Sequence, residues 1–419
     1  MPSSRVPTTN WAGNIRFGAA QVHRPQSMDE LRRIVGNSRR IRALGSGHSF
    51  SPIIDTSDDL VCLDGLPPVV EVDAASSTVT VAAGLRYAEV AFELQRAGFA
   101  LANLASLPHI SVGGACATGT HASGDTQRVL GASVSALQLV GPDGDLVELR
   151  RDGDHDSFAG SVVALGALGV VTRLTVDIEP SFDVAQRVYL GVPLDEVAGH
   201  LDDVFGAAYS VSVFTDWRSG QAMVWLKQRT DQPEAAWAGG APAQRPMHPC
   251  PGMPPESCTE QLGIAGPWHE RLPHFRADLT PSAGDELQSE HFVPRDAAPA
   301  AFAAIRSVAD RVAPVLHIAE VRTVRADDLW LSPAYGRDSV TFHFTWVNDA
   351  AAVMPVLAAV EERLMPMGAR PHWAKLTTVA PPEIMAGYER AAEFEQVAQR
   401  YDPTDKFRNR FVDRLLSAR

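Results

Sequence analysis

The spacing of apolar positions along the first 180 residues predicts a mixture of strands and helices. Strands are predicted, mostly from alternation with a period of two, at residues 40–44, 69–73, 78–82, 134–140, 147–150 and 172–178. A helical period at residues 85–97 predicts a helix that ends at Gly98. Ser27 and Glu30 form a capping-box pattern ahead of another helix at residues 31–35.

The second half of the chain mixes strands and helices without a regular order. Strands are predicted at residues 209–214 and 222–227, and helices at residues 298–312 and 354–364. Pro180 is a predicted domain boundary. Residues 232–255 are rich in Pro, Gly and Ala and are too long for a simple connection, so they form either a lid or a surface excursion. The irregular mixture predicts an α+β fold in two parts instead of a doubly wound sheet.

Length and charge restrict the classes of function. A chain of 419 residues, 45% of them apolar, predicts a globular protein of two domains. The net charge of -13 argues against nucleic acid and against an anionic membrane surface as partners. No apolar run is long enough to cross a membrane, and the N-terminus lacks the apolar core of a signal peptide. We therefore expect a cytoplasmic protein.

Cysteines and histidines form no metal-binding pattern. The chain has no C-x-x-C, and four histidines lack a ligand spacing with a carboxylate or thiol: His109, His121, His269 and His274. We expect no metal site. Cys62 and Cys116 lie among apolar or small residues, which predicts reduced core thiols. A disulfide between Cys250 and Cys258 is the less favoured alternative in a cytosolic protein.

A glycine loop follows the strand at residues 40–44, within the sequence IRALGSGHSF of residues 41–50. Gly45 and Gly47 lack a Cβ, so the backbone can turn sharply and bring its N–H groups close to a ligand. Successive N–H groups in such a turn suit a pyrophosphate, and His48 stands at the lip of that site. Because Phe50 replaces the third glycine of G-x-G-x-x-G, a Rossmann nucleotide site is disfavoured.

A second glycine loop occupies residues 105–121. It has glycines for close backbone approach and hydroxyls for phosphate oxygens, at Ser111, Gly113, Gly114, Thr118, Gly119 and Thr120. Either loop alone is more often a simple tight turn, but two in one domain favour a dinucleotide. The sequence motifs of nucleoside-triphosphate loops, serine hydrolases and zinc proteases are absent.

Three pairs of polar residues stand out in the second half: Glu320 with Arg322, His343 with Thr345, and His372 with Lys375. The first two pairs have a spacing of two on predicted strands, so each pair faces one side. Each pair taken singly is best explained as a solvent-exposed face. Together they predict one wet cavity over a sheet, suited to a polyhydroxylated ligand.

These segments resemble the vanillyl-alcohol oxidase family of flavoproteins, and within it the alditol oxidases. The matching motifs are residues 45–50, 105–111, 117–121, 166–169, 320–322, 343–345, 372–375 and 402–407. The resemblance implies an FAD-binding domain at residues 1–179, a substrate-binding cap domain on a mixed or antiparallel sheet at residues 180–365, and a C-terminal segment at residues 366–419 that returns to the FAD domain.

The resemblance also implies FAD bonded covalently through His48, with no second link through Cys116. It implies cofactor contacts from both glycine loops and from two positions beyond them: Leu44, Gly45, Ser46, Gly47, His48, Ser49, Phe50, Ser106, Ser111, Gly114, Thr118, Gly119, Thr120, His121, Val170 and His372. Substrate contacts are implied from Ser106, Glu320, Arg322 and Thr345.

The function implied is oxidation of the terminal C1 alcohol of an alditol such as xylitol or sorbitol. Hydride passes to flavin N5, an aldose forms, and oxygen is reduced to hydrogen peroxide. Either Lys375 or His343 accepts the hydroxyl proton, and the sequence leaves this choice open. We expect a monomer whose partners are the polyol and oxygen. The alternatives are a sugar-1,4-lactone oxidase or dehydrogenase of the same fold and a flavin-binding protein without turnover.

Overall fold

The computed structural model describes residues 8–153, 155–233, 239–279 and 285–416. Its main strands form a short parallel sheet, an antiparallel sheet and a larger antiparallel sheet. Helices and antiparallel strands follow one another irregularly, which confirms the predicted α+β class. In the described part of the chain, no helix is both long enough and apolar enough to span a membrane.

The parallel sheet carries the first glycine loop. Its strands, in their order across the sheet, are Gln21–His23, Asp59–Cys62 and Ile41–Leu44. Helix Met28–Asn37 shares a core with this sheet, and Ser27 Oγ accepts from the N–H of Glu30 as the capping pattern predicts. The Glu30 carboxylate accepts from the N–H of Gln26 instead of the N–H of Ser27.

The antiparallel sheet stands beside the parallel one. Its strands, in spatial order, are Val70–Asp73, Thr78–Ala82, Val170–Asp177, Val134–Val140 and Leu146–Arg150. All of these strands were predicted, with ends that differ by up to two residues. Helix Tyr87–Arg96 buries Val90 and Leu94 in the same core as Val79 and Val81 of the sheet.

The large antiparallel sheet contains the main strands of the second half of the chain. Its strands, in spatial order, are Ala241–Pro242, Asp183–Pro193, Gln221–Arg229, Ser210–Thr215, Leu316–Val324, Ser339–Val347, Glu286–Pro294 and Arg370–Pro371, with Gly266–Pro267 paired to Asp183–Pro193. On strand Ser339–Val347, Phe342, Phe344 and Trp346 pack into a core with Phe302 of one covering helix. The alternate residues of this strand face the opposite side.

The helices of the described residues are Met28–Asn37, Tyr87–Arg96, Val112–Ala117, His155–Ala159, Leu194–Gly199, Leu201–Phe205, Ala298–Arg306, Ala309–Val312, Ala350–Leu364, Pro381–Ala386, Ala391–Tyr401 and Arg410–Leu416. The prediction of a single helix at residues 298–312 is wrong, because the helix is interrupted at Ser307 and Val308. The Ser307 hydroxyl donates to the Ala304 carbonyl, and a side chain bonded in this way competes with continued helix. The helix predicted at residues 354–364 begins earlier, at Ala350.

The C-terminal segment packs against the first strands of the chain. The N–H of Ile41 donates to the carbonyl of Lys406 at 2.9 Å, and Arg42 Nη1 donates to the carbonyl of Phe407 at 2.7 Å. The division into residues 1–179, 180–365 and 366–419 stays a prediction. Cys62, Cys116, Cys250 and Cys258 are free thiols.

Candidate active site

A cavity of about 320 Å³ lies between the two glycine loops and the exposed face of the large sheet. The glycine loops form one wall, and polar side chains of three neighbouring strands form the opposite wall. Residues His248, Cys250 and Met253, from the segment predicted to be a lid or a surface excursion, also line it. Part of that segment is therefore cavity wall, whereas residues 234–238 lie outside the described residues.

The two glycine loops are joined directly. The N–H of Ser46 donates to Ser111 Oγ at 3.3 Å, and the N–H of Ser111 donates to Ser46 Oγ at 3.2 Å. A Cβ on Gly45 would lie 2.3 Å from Ser111 Oγ, so only glycine allows this approach. Gly47 has φ of +72°, a left-handed conformation that glycine adopts without strain. These contacts hold both loops against one part of the cavity.

His48 lies at the cavity with a ring nitrogen that has no hydrogen-bond partner. Its Nδ1 atom is buried and unpaired, and the ring stacks on Trp11 with centroids 5.2 Å apart. Burial, together with the charge of Lys375, lowers the pKa of His48 to about 4. The imidazole is therefore neutral at physiological pH, and Nδ1 is free to react or to accept a hydrogen bond.

The second glycine loop begins a short helix, Val112–Ala117. A Cβ on Gly113 would lie 2.9 Å from the Cβ of Ala83, so glycine allows the helix to approach the antiparallel sheet. Thr118 Oγ1 donates to the carbonyl of Gly114 at 3.0 Å. The N–H groups of His274 and Phe275 donate to the carbonyl of Ser106 and tie this loop to the segment that carries His274.

Polar residues on the large sheet stand side by side because of the strand register. Glu290 pairs with His343, and His343 pairs with Glu320 on the next strand. One step along, Gln288 pairs with Thr345. Alternation places all five side chains on the cavity side, and the sequence-predicted pairs are thus brought into one wall.

Buried charges in this wall are paired with one another. Arg322 Nη2 donates to Glu290 Oε1 at 2.5 Å, and Arg322 Nε lies 3.7 Å from Glu320 Oε2. His274 Nε2 donates to Glu320 Oε1 at 2.8 Å. Burial alone opposes ionisation of Glu320, but Arg322 and then His274 outweigh it and hold the pKa of that carboxyl below its usual range. Burial lowers the pKa of His274 to about 4, so this histidine is a neutral donor.

Gln288 connects the two candidate proton acceptors. Its Nε2 donates to Glu286 Oε1 at 2.5 Å, which orients the amide. Its Oε1 then accepts from His343 Nε2 at 3.2 Å and from Lys375 Nζ. His343 therefore carries its proton on Nε2. Burial lowers the pKa of Lys375 to about 8. The pKa of His343 is lowered to about 3 by burial and by the charge of the nearby Lys375.

The segment that carries His372 and Lys375 is fixed between the two walls. The N–H of His372 donates to the carbonyl of Glu290 at 2.9 Å, and the N–H of Phe50 donates to the carbonyl of Ala374 at 2.7 Å. Lys375 Nζ stands 5.1 Å from the centre of the Phe50 ring. The lysine is thus positioned by the first glycine loop and by the edge of the large sheet together.

Most of the residues predicted for the site line the cavity: Leu44, Gly45, Ser46, Gly47, His48, Ser49, Phe50, Ser106, Ser111, Gly114, Thr118, Thr120, His121, Glu320, Arg322, His343, Thr345, His372 and Lys375. Gly119 and Val170 do not. A Cβ on Gly119 would face Pro333 at 2.8 Å, and the Val170 side chain is buried in the core. The neighbours of Val170, Gly169 and Val171, do reach the cavity.

Sequence reasoning missed Gln288, Glu290 and the direct role of His274 beside Glu320. Gln288 and Glu290 have the same spacing of two on a strand that distinguished Glu320 and Arg322, so the signal was present. His274 is one of the four histidines without a metal-ligand spacing, and the sequence assigned it no role in the site. Its sequence neighbourhood gives no sign that it meets Glu320, because the two are 46 positions apart.

His121, Glu290 and His372 place possible metal-ligand atoms within 4.8 Å of one another. Arg322 Nη2 lies 2.5 Å from the Glu290 carboxylate, so the protein itself supplies a cation at this position. His121 Nε2 also faces Glu290 Oε1, at 3.0 Å. The geometry is that of an internal ion-pair cluster.

Comparisons with known proteins agree with this arrangement. The "FAD binding domain" family matches residues 19–150, and the "D-arabinono-1,4-lactone oxidase" family matches residues 285–415. Alditol oxidase from Streptomyces sp. (strain IKD472 / FERM P-14339) is 50% identical over 414 residues, which cover 97% of this chain and 98% of the relative. The chain belongs to the alditol oxidase family.

This alditol oxidase family member is an FAD-dependent oxidoreductase with the vanillyl-alcohol oxidase type of fold. L-gulonolactone oxidase from Mus musculus is 24% identical over 98% of both chains, so lactone oxidases are more distant relatives. Cholesterol oxidase from B. sterolicum has the same fold, with a TM-score of 0.76 at 14% identity over 97% of this chain and 96% of that chain.

Proposed function

We propose that the protein oxidises the terminal C1 alcohol of an alditol such as xylitol or sorbitol to the aldose, with oxygen as the electron acceptor. The observation that carries this proposal is the cavity wall of paired charges and amides opposite the glycine loops. Such a wall offers both donors and acceptors, which a chain of neighbouring hydroxyl groups can satisfy. The similarity to an alditol oxidase over the whole chain supports the same substrate class.

The residues present fit FAD. Glycine at 45 lets the two loops meet at the cavity, because a Cβ there would clash with Ser111 Oγ, and backbone N–H groups in such loops suit a pyrophosphate. The unpaired, neutral Nδ1 of His48 is the atom that we assign to a covalent bond with the flavin. Bound FAD would accept the hydride from C1 and pass the electrons to oxygen, which forms hydrogen peroxide.

The side chains of the site bind the substrate and accept its proton. Glu320 and Arg322 bind neighbouring substrate hydroxyls by charge-assisted hydrogen bonds, and Ser106 and Thr345 add neutral ones. Lys375 accepts the proton of the C1 hydroxyl, because its pKa of about 8 lies close to operating pH. His343, with a pKa of about 3, is the weaker base and orients the hydroxyl instead.

The test is anaerobic mixing of the purified protein with xylitol and, separately, with a gulonolactone. We expect xylitol to bleach the visible flavin absorbance and, after oxygen is admitted, to yield one peroxide per aldose. Bleaching by the lactone alone would assign the protein to the lactone oxidases, which the 24% identity to those relatives does not favour. Flavin that neither substrate reduces would point to a flavin carrier.

The monomeric state and the cytoplasmic location belong to the same proposal. Size-exclusion chromatography with light scattering tests the first, since one chain has a mass of 45.1 kDa. Fractionation of cells that express the tagged protein tests the second.

A further inference from the structure

Glu290 stands between the two walls of the cavity and has partners on both. Its Oε1 atom accepts from Arg322 Nη2 at 2.5 Å, on the substrate-binding side. The same oxygen accepts from His121 Nε2 at 3.0 Å, and His121 belongs to the second glycine loop. All three side chains are almost fully buried.

His121 is held by hydrogen-bond partners at both ring nitrogens. Its Nδ1 lies 2.7 Å from the carbonyl oxygen of Ala122, and its Nε2 lies 3.0 Å from the Glu290 carboxylate. His121 thus faces an acceptor at each ring nitrogen, and the Glu290 carboxylate is shared between His121 and Arg322. Burial opposes ionisation of Glu290, but Arg322 and then His121 outweigh it and hold the pKa of the carboxyl well below its usual range.

One carboxylate therefore holds two buried side chains. Removal of that carboxylate would leave the Arg322 guanidinium without its nearest counter-ion and His121 Nε2 without its partner, and an incompletely compensated buried charge is costly. Arg322 would then turn towards Glu320, whose Oε2 atom lies 3.7 Å from Arg322 Nε. It would thereby leave the orientation in which Glu290 holds it. The backbone carbonyl of Glu290 also accepts from the N–H of His372, so the same residue fixes a third part of the cavity.

We propose that Glu290 is a positioning residue that holds Arg322 in its substrate-binding orientation and joins it to His121 of the second glycine loop. Glu290 acts through Arg322 and not by direct contact with the reacting carbon. The substrate side of this inference rests on the proposed function, whereas the coupling of the three side chains does not.

The test combines double-variant cycles with two measurements. The first is the midpoint of thermal unfolding, Tm, of the flavin-loaded protein for Glu290→Gln, Arg322→Met, His121→Phe and the two doubles that contain Glu290→Gln. We expect each double to lose less Tm than the sum of its singles, because the sum counts the broken contact between the two residues twice and the double counts it once. Additive losses in both cycles would overturn the coupling.

The second measurement is the xylitol Kd, taken from the concentration dependence of anaerobic flavin reduction. We expect Glu290→Gln to raise Kd about tenfold or more in the otherwise native protein, the range for a hydrogen bond to a charged group. In the Arg322→Met background the same change should alter Kd by less than about twofold. An equal increase in both backgrounds would show that Glu290 does not act through Arg322.

Glu361 provides the matched control, because its Oε1 accepts from His291 Nε2 at 3.0 Å and both are buried outside the cavity. Glu361→Gln should lower Tm and leave the xylitol Kd within about twofold of the native value. A Kd rise equal to that of Glu290→Gln would refute the specific role of Glu290. Since the Tm cycles need no substrate, failure of the alditol proposal is distinguishable from failure of this one.

Discussion

The assignment of Lys375 as the proton acceptor predicts a defined dependence of flavin reduction on pH. Burial lowers the pKa of Lys375 to about 8, so below that pH the amine is mostly charged and cannot accept a proton. The neutral fraction is roughly 10% at pH 7 and roughly 90% at pH 9, as follows from a single titration. The rate of anaerobic reduction at saturating xylitol should therefore rise about ninefold between these values.

Two other groups restrict the interpretation of this profile. His343 has a pKa of about 3 and is neutral across the whole interval, so a His343 base predicts a flat profile. Lys227 is fully buried and interacts electrostatically with Glu320, and burial lowers its pKa to about 7, so its titration is a second source of pH dependence that the assay must separate. Lys227 Nζ donates to the carbonyls of Leu272 and Pro273.

The assay is stopped-flow reduction from pH 6 to pH 10 for the native protein, Lys375→Met and Lys227→Met. We expect Lys375→Met to reduce the flavin about 10² to 10⁴ times more slowly, the usual contribution of a general base, and to lose the rise near pH 8. Lys227→Met should keep that rise. A flat native profile, or a rise that survives in Lys375→Met, would refute the reasoning.

Three further outcomes are expected. His48→Ala should release its flavin on acid precipitation, and flavin that stays in the pellet would exclude His48 as the link. Glu320→Gln should raise the xylitol Kd about tenfold, since a charged hydrogen-bond acceptor is lost, while FAD content measured by absorbance stays native. Arg42→Met should lower the free energy of unfolding by roughly 3 kcal/mol or more in urea titrations, because four carbonyls, of Ile53, Leu165, Gly166 and Phe407, lose their donor; an unchanged midpoint contradicts this.

The sequence alone determined the features that depend on neighbouring residues. Spacing of two on a strand places Glu320 with Arg322, and His343 with Thr345, on one face, because successive side chains of a strand alternate. The apolar partners Phe342 and Phe344 then enter the core beneath, as the structure has them. Gly47 likewise identified a tight loop, since few other residues adopt its left-handed backbone conformation without strain.

Tertiary structure alone decided which of these faces meet. The joining of the two glycine loops depends on reciprocal bonds between Ser46 and Ser111, 65 positions apart. The choice between Lys375 and His343 depends on their pKa values, which follow from burial and from shared contact with Gln288.

Glu290 shows why the sequence could not supply this part of the site. Its spacing relative to Gln288 was visible, but a carboxylate on a strand is ordinarily a solvated group. Its role arises only when three strands in register and a distant loop bring Arg322 and His121 to the same oxygen atom. Electrostatic energies depend on distance and on exclusion of water, and both are properties of the folded chain and not of the order of its residues.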